Sequence, residues 1–361
     1  MPSGQERHPR VSQTLILVPW LEGGGAQGAL EGILGKLPAQ DLTLLILFSG
    51  NRNHDPVKKL VGRTIELELP RNPFGVLKAA LRLRGFVSDS NRIFSLMRGS
   101  HLVLGLLPPR ALAGKRLAAS FHQLPSTDSA GIQGKVENIL VRRGVRRAGL
   151  ITAPSDRAVD ELIERGFGDS QRVKVEHNII KTVAKPLVPP RAGILDPVRL
   201  VFAGRISKQK GLDRLPDLLK DVTVPVHIRC LGDGEEKRNV AELQKKLKPI
   251  HTLEFLSHVD DVVSHLDWSD AVIMPSRWEL NPLVVWEARA RGRSTVGSRI
   301  EAFQDLEKNG PMWLFSDGHD FASIMSKLAT QPDVRTKAFN DALESSENLN
   351  MRSSIVDYLG S

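Results

Sequence analysis

The sequence predicts an α/β protein made of two Rossmann-like domains, on three observations. Short apolar runs of strand length alternate with helix-length segments along both halves of the chain, the pattern of parallel sheets with helices on both faces. The length of 361 residues suits two domains. Between the halves, Pro186-Leu-Val-Pro-Pro190 breaks both periodicities and reads as a linker.

In chain order, strands are expected at Thr14–Val18, Leu42–Phe48, Thr64–Leu67, Leu102–Leu106, Leu117–Phe121, Leu150–Ala153 and Val173–Glu176. Helices are expected at Ala26–Leu37, Lys135–Ala148 and Asp156–Arg165. The second half repeats the scheme, with strands at Arg199–Ala203, His227–Leu231, Thr252–Phe255, Ala271–Met274, Ser294–Val296 and Met312–Leu314. Its helices are expected at Glu235–Leu247, Asp260–Leu266, Pro282–Arg291 and Asp320–Leu328. Each strand is a short apolar run bounded by turn residues, as fully buried strands are. The tail from Asp333 to Ser361 is helical in pattern.

Composition narrows the function classes. Apolar residues make 41% and charged residues 25%, ordinary for a soluble globular chain. Cys230 is the only cysteine, so intrachain disulfides are excluded and a reducing compartment fits. No apolar run reaches the roughly 20 residues of a membrane-spanning helix. The polar start, Met1 to Ser12, does not read as a signal peptide, and a cytoplasmic protein is expected.

The net charge of +9 is concentrated. Residues 75–150 hold thirteen Lys and Arg against three acids, a net +10. Such a field attracts anionic partners. Within it, Leu77-Lys-Ala-Ala-Leu-Arg-Leu-Arg-Gly-Phe-Val87 mixes apolar and basic residues as interfacial helices do, so an anionic membrane surface joins the expected partners. A solvated basic face is the plainer reading of the same pattern. Aromatics are too sparse there for base stacking, and nucleic acid is not expected.

The most informative stretch is Ser276-Arg-Trp-Glu-Leu-Asn-Pro-Leu-Val-Val-Trp-Glu-Ala288. Two carboxylates, Glu279 and Glu287, lie eight positions apart around a predicted helix start, with Asn281 at the cap and Pro282 in the first turn. A helix N-terminus after a parallel strand offers free N–H groups near Leu283 and a positive dipole end, a seat for phosphate. Carboxylates beside it can hold vicinal hydroxyls. A second stretch, Gly204-Arg205-Ile-Ser-Lys-Gln-Lys210-Gly211, puts two cations just past a strand's carboxyl end, where open α/β sheets bind ligands. Together they suit a ligand with phosphates in the middle and sugars at both ends.

These two segments resemble the C-terminal half of retaining glycosyltransferases of family 4, which have the GT-B fold. The matching residues are Gly204, Arg205, Lys210, Gly211, Pro275, Ser276, Glu279, Pro282, Glu287 and Ala288. Leu231-Gly-Asp-Gly-Glu235 and His258-Val-Asp-Asp261 resemble further family segments, as do Gly23-Gly-Gly-Ala-Gln27, Phe121-His122, Ala153-Pro-Ser155 and Asn178.

The resemblance implies two Rossmann-like domains facing across a cleft. Residues 1–185 would bind the acceptor and 191–332 a nucleotide-sugar donor, with 333–361 crossing back to the first domain. It implies a retaining hexosyltransferase serving polysaccharide or glycoconjugate synthesis, with a UDP- or GDP-sugar as donor and a glycan, lipid-linked or small-molecule acceptor. Arg205 and Lys210 would hold the diphosphate, Glu287 the ribose and Glu279 the donor sugar, assisted by the backbone at Leu283. Gly25 and His258 would line the donor, and His122 the reacting sugar. Leu280-Asn281 departs from the common pattern and leaves the sugar open.

No cofactor or metal is expected. No helical His pair joins an acid, no Asp-x-Asp occurs, and Arg205 and Lys210 stand where a divalent cation would serve. Gly23-Gly24-Gly25 lacks the Gly-Lys-Ser/Thr ending of an ATP-binding loop. A nucleotide-sugar 2-epimerase of the same fold and a noncatalytic binder of sugar nucleotides or polyanions are the alternatives.

Overall fold

The computed structural model describes residues 14–22, 24–50, 55–126, 131–178, 185–257, 259, 261–347 and 353–360. The chain forms two units, one of Met1–Ile179 with Arg352–Ser361 and one of Ile180–Met351.

The first unit runs β1 (Thr14–Val18), α1 (Gly25–Leu34), β2 (Leu42–Phe48), α2 (Asp55–Lys58), β3 (Arg63–Leu69), α3 (Pro73–Asp89), β4 (Arg92–Leu96), α4 (Met97–Gly105), β5 (Arg116–Ser120), α5 (Gly131–Val145), β6 (Leu150–Ala153), α6 (Asp156–Glu164) and β7 (Val173–Val175). Its parallel sheet has the order β3-β2-β1-β4-β5-β6-β7. Every residue of β1 and β2 is buried, as helices on both faces require, while the edge strand β3 alternates.

One strand was misplaced by the sequence reading. Leu102–Gly105 lies in helix α4, with Leu106 at its C-cap, and the strand of that region is Arg92–Leu96. A short apolar run does not distinguish a buried helix from a strand. Here α4 is enclosed because glycines let α5 approach it. A Cβ on Gly105 would lie 1.9 Å from the Leu140 carbonyl oxygen, and one on Gly144 would lie 2.1 Å from that of His101.

The second unit runs β8 (Val198–Ala203), α7 (Leu215–Leu219), β9 (Val226–Leu231), α8 (Lys237–Ala241), β10 (His251–Leu256), α9 (Val262–Trp268), β11 (Ala271–Met274), α10 (Leu283–Arg289), β12 (Ser294–Ser298), α11 (Glu301–Glu307), β13 (Met312–Phe315), α12 (Gly318–Thr330) and α13 (Pro332–Glu347). Its parallel sheet has the order β10-β9-β8-β11-β12-β13. The helix expected over Glu235–Leu247 is instead α8 and a separate 3-10 turn at Leu243–Lys246. The helix expected from Asp260 starts at Val262, where the Asp261 carboxylate accepts from the Ser264 N–H at 3.1 Å.

The linker and the tail also differ from expectation. The division falls at 179/180, ahead of Pro186–Pro190, which belongs to the second unit. Two buried arginines bind its carbonyls: Arg291 donates to Lys185 at 2.9 Å and Pro186 at 2.6 Å, and Arg293 to Val188 at 2.9 Å. A proline-rich strand offers acceptors and few donors, and guanidinium supplies the missing N–H groups.

Residues 332–347 stay on the second unit as α13, where Arg335 donates to the Leu328 and Arg191 carbonyls at 2.5 and 3.0 Å. The last helix, α14 (Ser354–Gly360), joins the first unit, burying Ile355 and Leu359 and receiving Arg116 over the Tyr358 ring at 4.8 Å. No described helix is long and apolar enough to cross a membrane.

Candidate functional site

In the second unit, chain direction across the sheet reverses between β8 and β11, which are neighbours. Open parallel sheets bind ligands outside the carboxyl ends of strands at such a switch point. The two motif loops leave these two strands: 204–211 follows β8 and 275–282 follows β11.

The loops are locked together. Gly211 is left-handed at φ 70°, and a Cβ there would lie 2.1 Å from the Pro275 carbonyl oxygen, so glycine meets both demands. Arg214 donates to that oxygen at 2.9 Å and to Ser298 Oγ at 2.8 Å. Arg277 clamps the Asp213 carboxylate with two bonds of 2.7 Å, holding its pKa below the usual range. The backbone N–H of Arg277 donates to the Gln209 carbonyl at 2.8 Å.

This frame seats Glu279. Its Oε1 accepts from Lys210 Nζ at 2.6 Å and from Ser276 Oγ at 2.8 Å, and its side chain is only 5% exposed. Lys210 is 16% exposed, so the pair is largely withdrawn from water. Such pairs need added hydrogen bonds to offset desolvation, and Ser276 supplies one.

Arg205 stands differently. It is 75% exposed and its Nε meets Glu235 Oε2 at 3.2 Å. Its backbone is fixed: the Gly204 N–H donates to Leu231 and the Ile206 N–H to Asp233, at 3.0 and 2.9 Å. Gly232, at φ 139°, lets the β9 turn approach, since a Cβ there would lie 2.0 Å from the Gly204 carbonyl oxygen.

Asn281 is not the helix cap. The cap position is Pro282, without a side-chain cap bond, and Leu283 is the first helical residue. Asn281 Oδ1 accepts from Trp286 Nε1 at 2.5 Å, because a buried indole N–H requires an acceptor. Glu287 follows one turn inside α10 and is half-buried. His258 lies outside the described residues.

In the first unit the strand order reverses between β1 and β4. Gly25 opens α1 beyond β1, and Met97 beyond β4 has φ 66°, a strained backbone for a side-chain-bearing residue. His122 follows β5 and, half-buried itself, heads a polar chain that runs into the core. Its Nε2 meets Ser120 Oγ at 3.1 Å, and that hydroxyl also meets Thr152 Oγ1 at 3.0 Å. Behind it, His101 Nε2 donates to the Ser120 carbonyl at 3.1 Å, while Nδ1 meets Ser95 Oγ at 2.8 Å. A carbonyl only accepts, so Nε2 carries the proton and Nδ1 of the neutral ring accepts from Ser95. Burial lowers His101 to about 3 and His122 to about 4. Both rings are neutral at physiological pH.

Residues 197–331 match the family model described as glycosyl transferases group 1. Glycogen synthase of Mycobacterium tuberculosis is 24% identical over 272 residues, spanning 72% of this chain and 65% of that protein. D-inositol 3-phosphate glycosyltransferase of Saccharomonospora viridis is 29% identical over 174 residues, 44% of this chain and 40% of that one. Among solved structures, Anabaena Alr3699/HepE in complex with UDP-glucose superposes with a TM-score of 0.73 at 18% identity, covering 96% of this chain and 97% of that one. This likeness shows the fold, GT-B, as the resemblance implied.

Of the residues expected in the site, Lys210 and Glu279 are in direct contact. Arg205 lies on the same loop as Lys210, and Leu283 and Glu287 follow Glu279 on α10. His122 and Gly25 belong to the other unit. The sequence reading gave no role to Ser276, to the Asp213–Arg277 clamp, or to the Ser95–His101–Ser120 chain. Ser276 is visible in the sequence only as part of the Pro275-Ser276 motif, and the other contacts join residues with no recognisable spacing.

Proposed function

We propose that this protein transfers a hexosyl unit, with retention, from a nucleoside-diphosphate sugar bound at the β8/β11 switch point. The carrying observation is the withdrawn Glu279 carboxylate, held by Lys210 and Ser276 between two interlocked loops. Lys210 and the exposed Arg205 would stabilise charge developing on the leaving diphosphate. Glu279 would orient hydroxyls of the donor sugar, and Glu287 the ribose. His122, a neutral imidazole, would hydrogen-bond the reacting sugar. Gly25, Leu283 and His258 would complete the donor's surroundings. The bound UDP-glucose of the Anabaena neighbour favours a uridine donor.

The acceptor we infer is a glycan or lipid-linked molecule reached at an anionic membrane surface. On α3, Phe74, Leu77 and Leu81 are exposed with spacings of three and four, and Lys78, Arg82 and Arg84 lie among them. That is the composition of a helix that lies in a membrane interface.

The test is nucleoside-diphosphate release from a panel of UDP- and GDP-sugars, with and without lipid-linked and soluble glycan acceptors. Release from one donor, with the product's anomeric configuration unchanged by NMR, is expected. A C2-epimerised sugar as product would favour the epimerase. Binding of donors without turnover under every acceptor would favour the noncatalytic reading.

A further inference from the structure

A second candidate site lies in the first unit, at the opposite end of its sheet from His122. The last turn of α5 precedes β6, and the loop 165–172 precedes β7, so both sit at the amino ends of the strands. Between them is a cavity of about 490 Å³ lined by Arg142, Arg143, Arg146, Phe167, Asp169 and Arg172, with two glycines.

Its charge is not balanced from within. The Asp169 carboxylate is already occupied: it accepts from Arg172 Nε at 2.9 Å and from the Gln171 and Arg172 N–H groups at 3.1 and 3.2 Å. Among the described residues, neither Arg142 nor Arg146 has a carboxylate partner, though they stand one helical turn apart, where like charges repel. Arg142 lies over the buried Phe167 ring at 5.4 Å, and Arg172 is braced by the Arg146 and Ala148 carbonyls at 3.0 and 3.3 Å. Guanidinium groups thus converge on one cavity from two separate elements.

We propose that this cavity binds a phosphate-bearing ligand through Arg142, Arg146 and Arg172. A carboxylate offers two oxygens and is satisfied by one guanidinium. A phosphate offers three, each able to accept from a separate planar fork.

The test is calorimetry with inorganic pyrophosphate on the intact chain at low salt. Two sites are expected in the native protein. Lys210→Ala should remove the one in the second unit. The double variant Arg142→Gln/Arg146→Gln should weaken the other at least tenfold while leaving UDP affinity unchanged. Lys59→Gln/Arg63→Gln, an equal loss of charge on exposed residues of the same unit, should leave it intact. Sedimentation with phosphatidic acid vesicles identifies the source of the phosphate. Vesicle binding lost in the Arg142/Arg146 double variant, without pyrophosphate binding at this site, assigns a lipid headgroup. Pyrophosphate binding alone assigns a soluble phosphate. Identical behaviour of the native protein and the double variant toward both probes overturns the proposal, as does an equal loss in the charge-matched control.

Discussion

The carboxyl edges of the two sheets are built on opposite principles. In the second unit the edge is made of charge: Lys210 against Glu279, Arg277 against Asp213, and Arg205 against Glu235 at the surface. In the first unit the ends of β4 and β5 instead carry a neutral chain of hydroxyls, a carbonyl and two imidazoles, running from Ser95 through His101 and Ser120 to His122, with the ion pairs Arg71–Glu22 and Arg98–Glu137 elsewhere on the same edge. Charges suit partly exposed loops, and in the proposed function they meet the donor's diphosphate. A neutral chain suits a strand end from which water is excluded, where an unpaired charge would be costly. The second unit's edge therefore suits electrostatic work and the first unit's suits orientation.

The largest expected effect breaks the charged edge. Lys210→Ala removes a charge-assisted contact and leaves Glu279 with Ser276 alone. Turnover should fall at least about tenfold, since hydrogen bonds to charged groups contribute roughly 1.5–3 kcal/mol. Arg205→Ala should also lose about tenfold, but without the drop in thermal stability that Lys210→Ala causes, because its exposed partner stays hydrated. Near-normal steady-state kinetics in both variants would remove the diphosphate assignment.

The two carboxylates sharpen the comparison within that edge. Glu287 is assigned to the ribose, far from the breaking bond, so Glu287→Gln should raise the donor KM about tenfold with kcat little changed. Glu279→Gln should lower kcat about tenfold and change donor affinity less. UDP, which lacks the sugar, should bind more weakly to the Glu287 variant only. The reverse pattern by calorimetry would exchange the two roles.

The neutral edge should respond to pH rather than to charge removal. His101 titrates near 3 when folded and near 6.5 when unfolded. Between those values the unfolded chain binds the extra proton, so stability rises with pH across that window and is lost as pH falls through it. Hydrogen exchange at β5 should show protection falling by about 1.4 kcal/mol per pH unit below 6.5 from this residue alone. His101→Asn should remove this share of the slope and leave the one that His122, lowered to about 4, contributes above that value. An unchanged slope would mean that other groups set the acid limit.

The smallest expected effect is none at all. On the proposed assignment of Lys210 and Arg205 to the phosphates, EDTA should leave turnover intact. Loss on chelation with recovery on Mg²⁺ or Mn²⁺ would contradict the charged edge as the complete phosphate site.

The charged edge was the more legible of the two. Lys210-Gly211 and Pro275-Ser276 carry a requirement of the backbone itself: Gly211 must be left-handed and must admit the Pro275 carbonyl. Requirements of that kind restrict residue identity at fixed spacing, so they are visible in one sequence. The Ser95–His101–Ser120 chain joins common residue types, and its central histidine immediately precedes Leu102–Leu106, whose apolar run resembles a strand. The Asn281 cap failed for a similar reason, since the demand of the Trp286 indole comes from the buried core and not from the local sequence.

The sequence by itself determined the alternation of apolar strands and helices, the division into two parallel-sheet units and the placement of the motif loops after β8 and β11. Those are consequences of local propensity and of burial on both faces of a sheet. The tertiary structure decided what depends on distant partners. It set α4 as a helix through the Gly105 and Gly144 contacts, and placed the proline-rich linker on the second unit through Arg291 and Arg293. It also kept α13 on that unit while α14 joined the other. In each case a buried carbonyl or a close backbone approach had to be satisfied by a residue far away in the chain, and spacing along the sequence carries no record of such a debt.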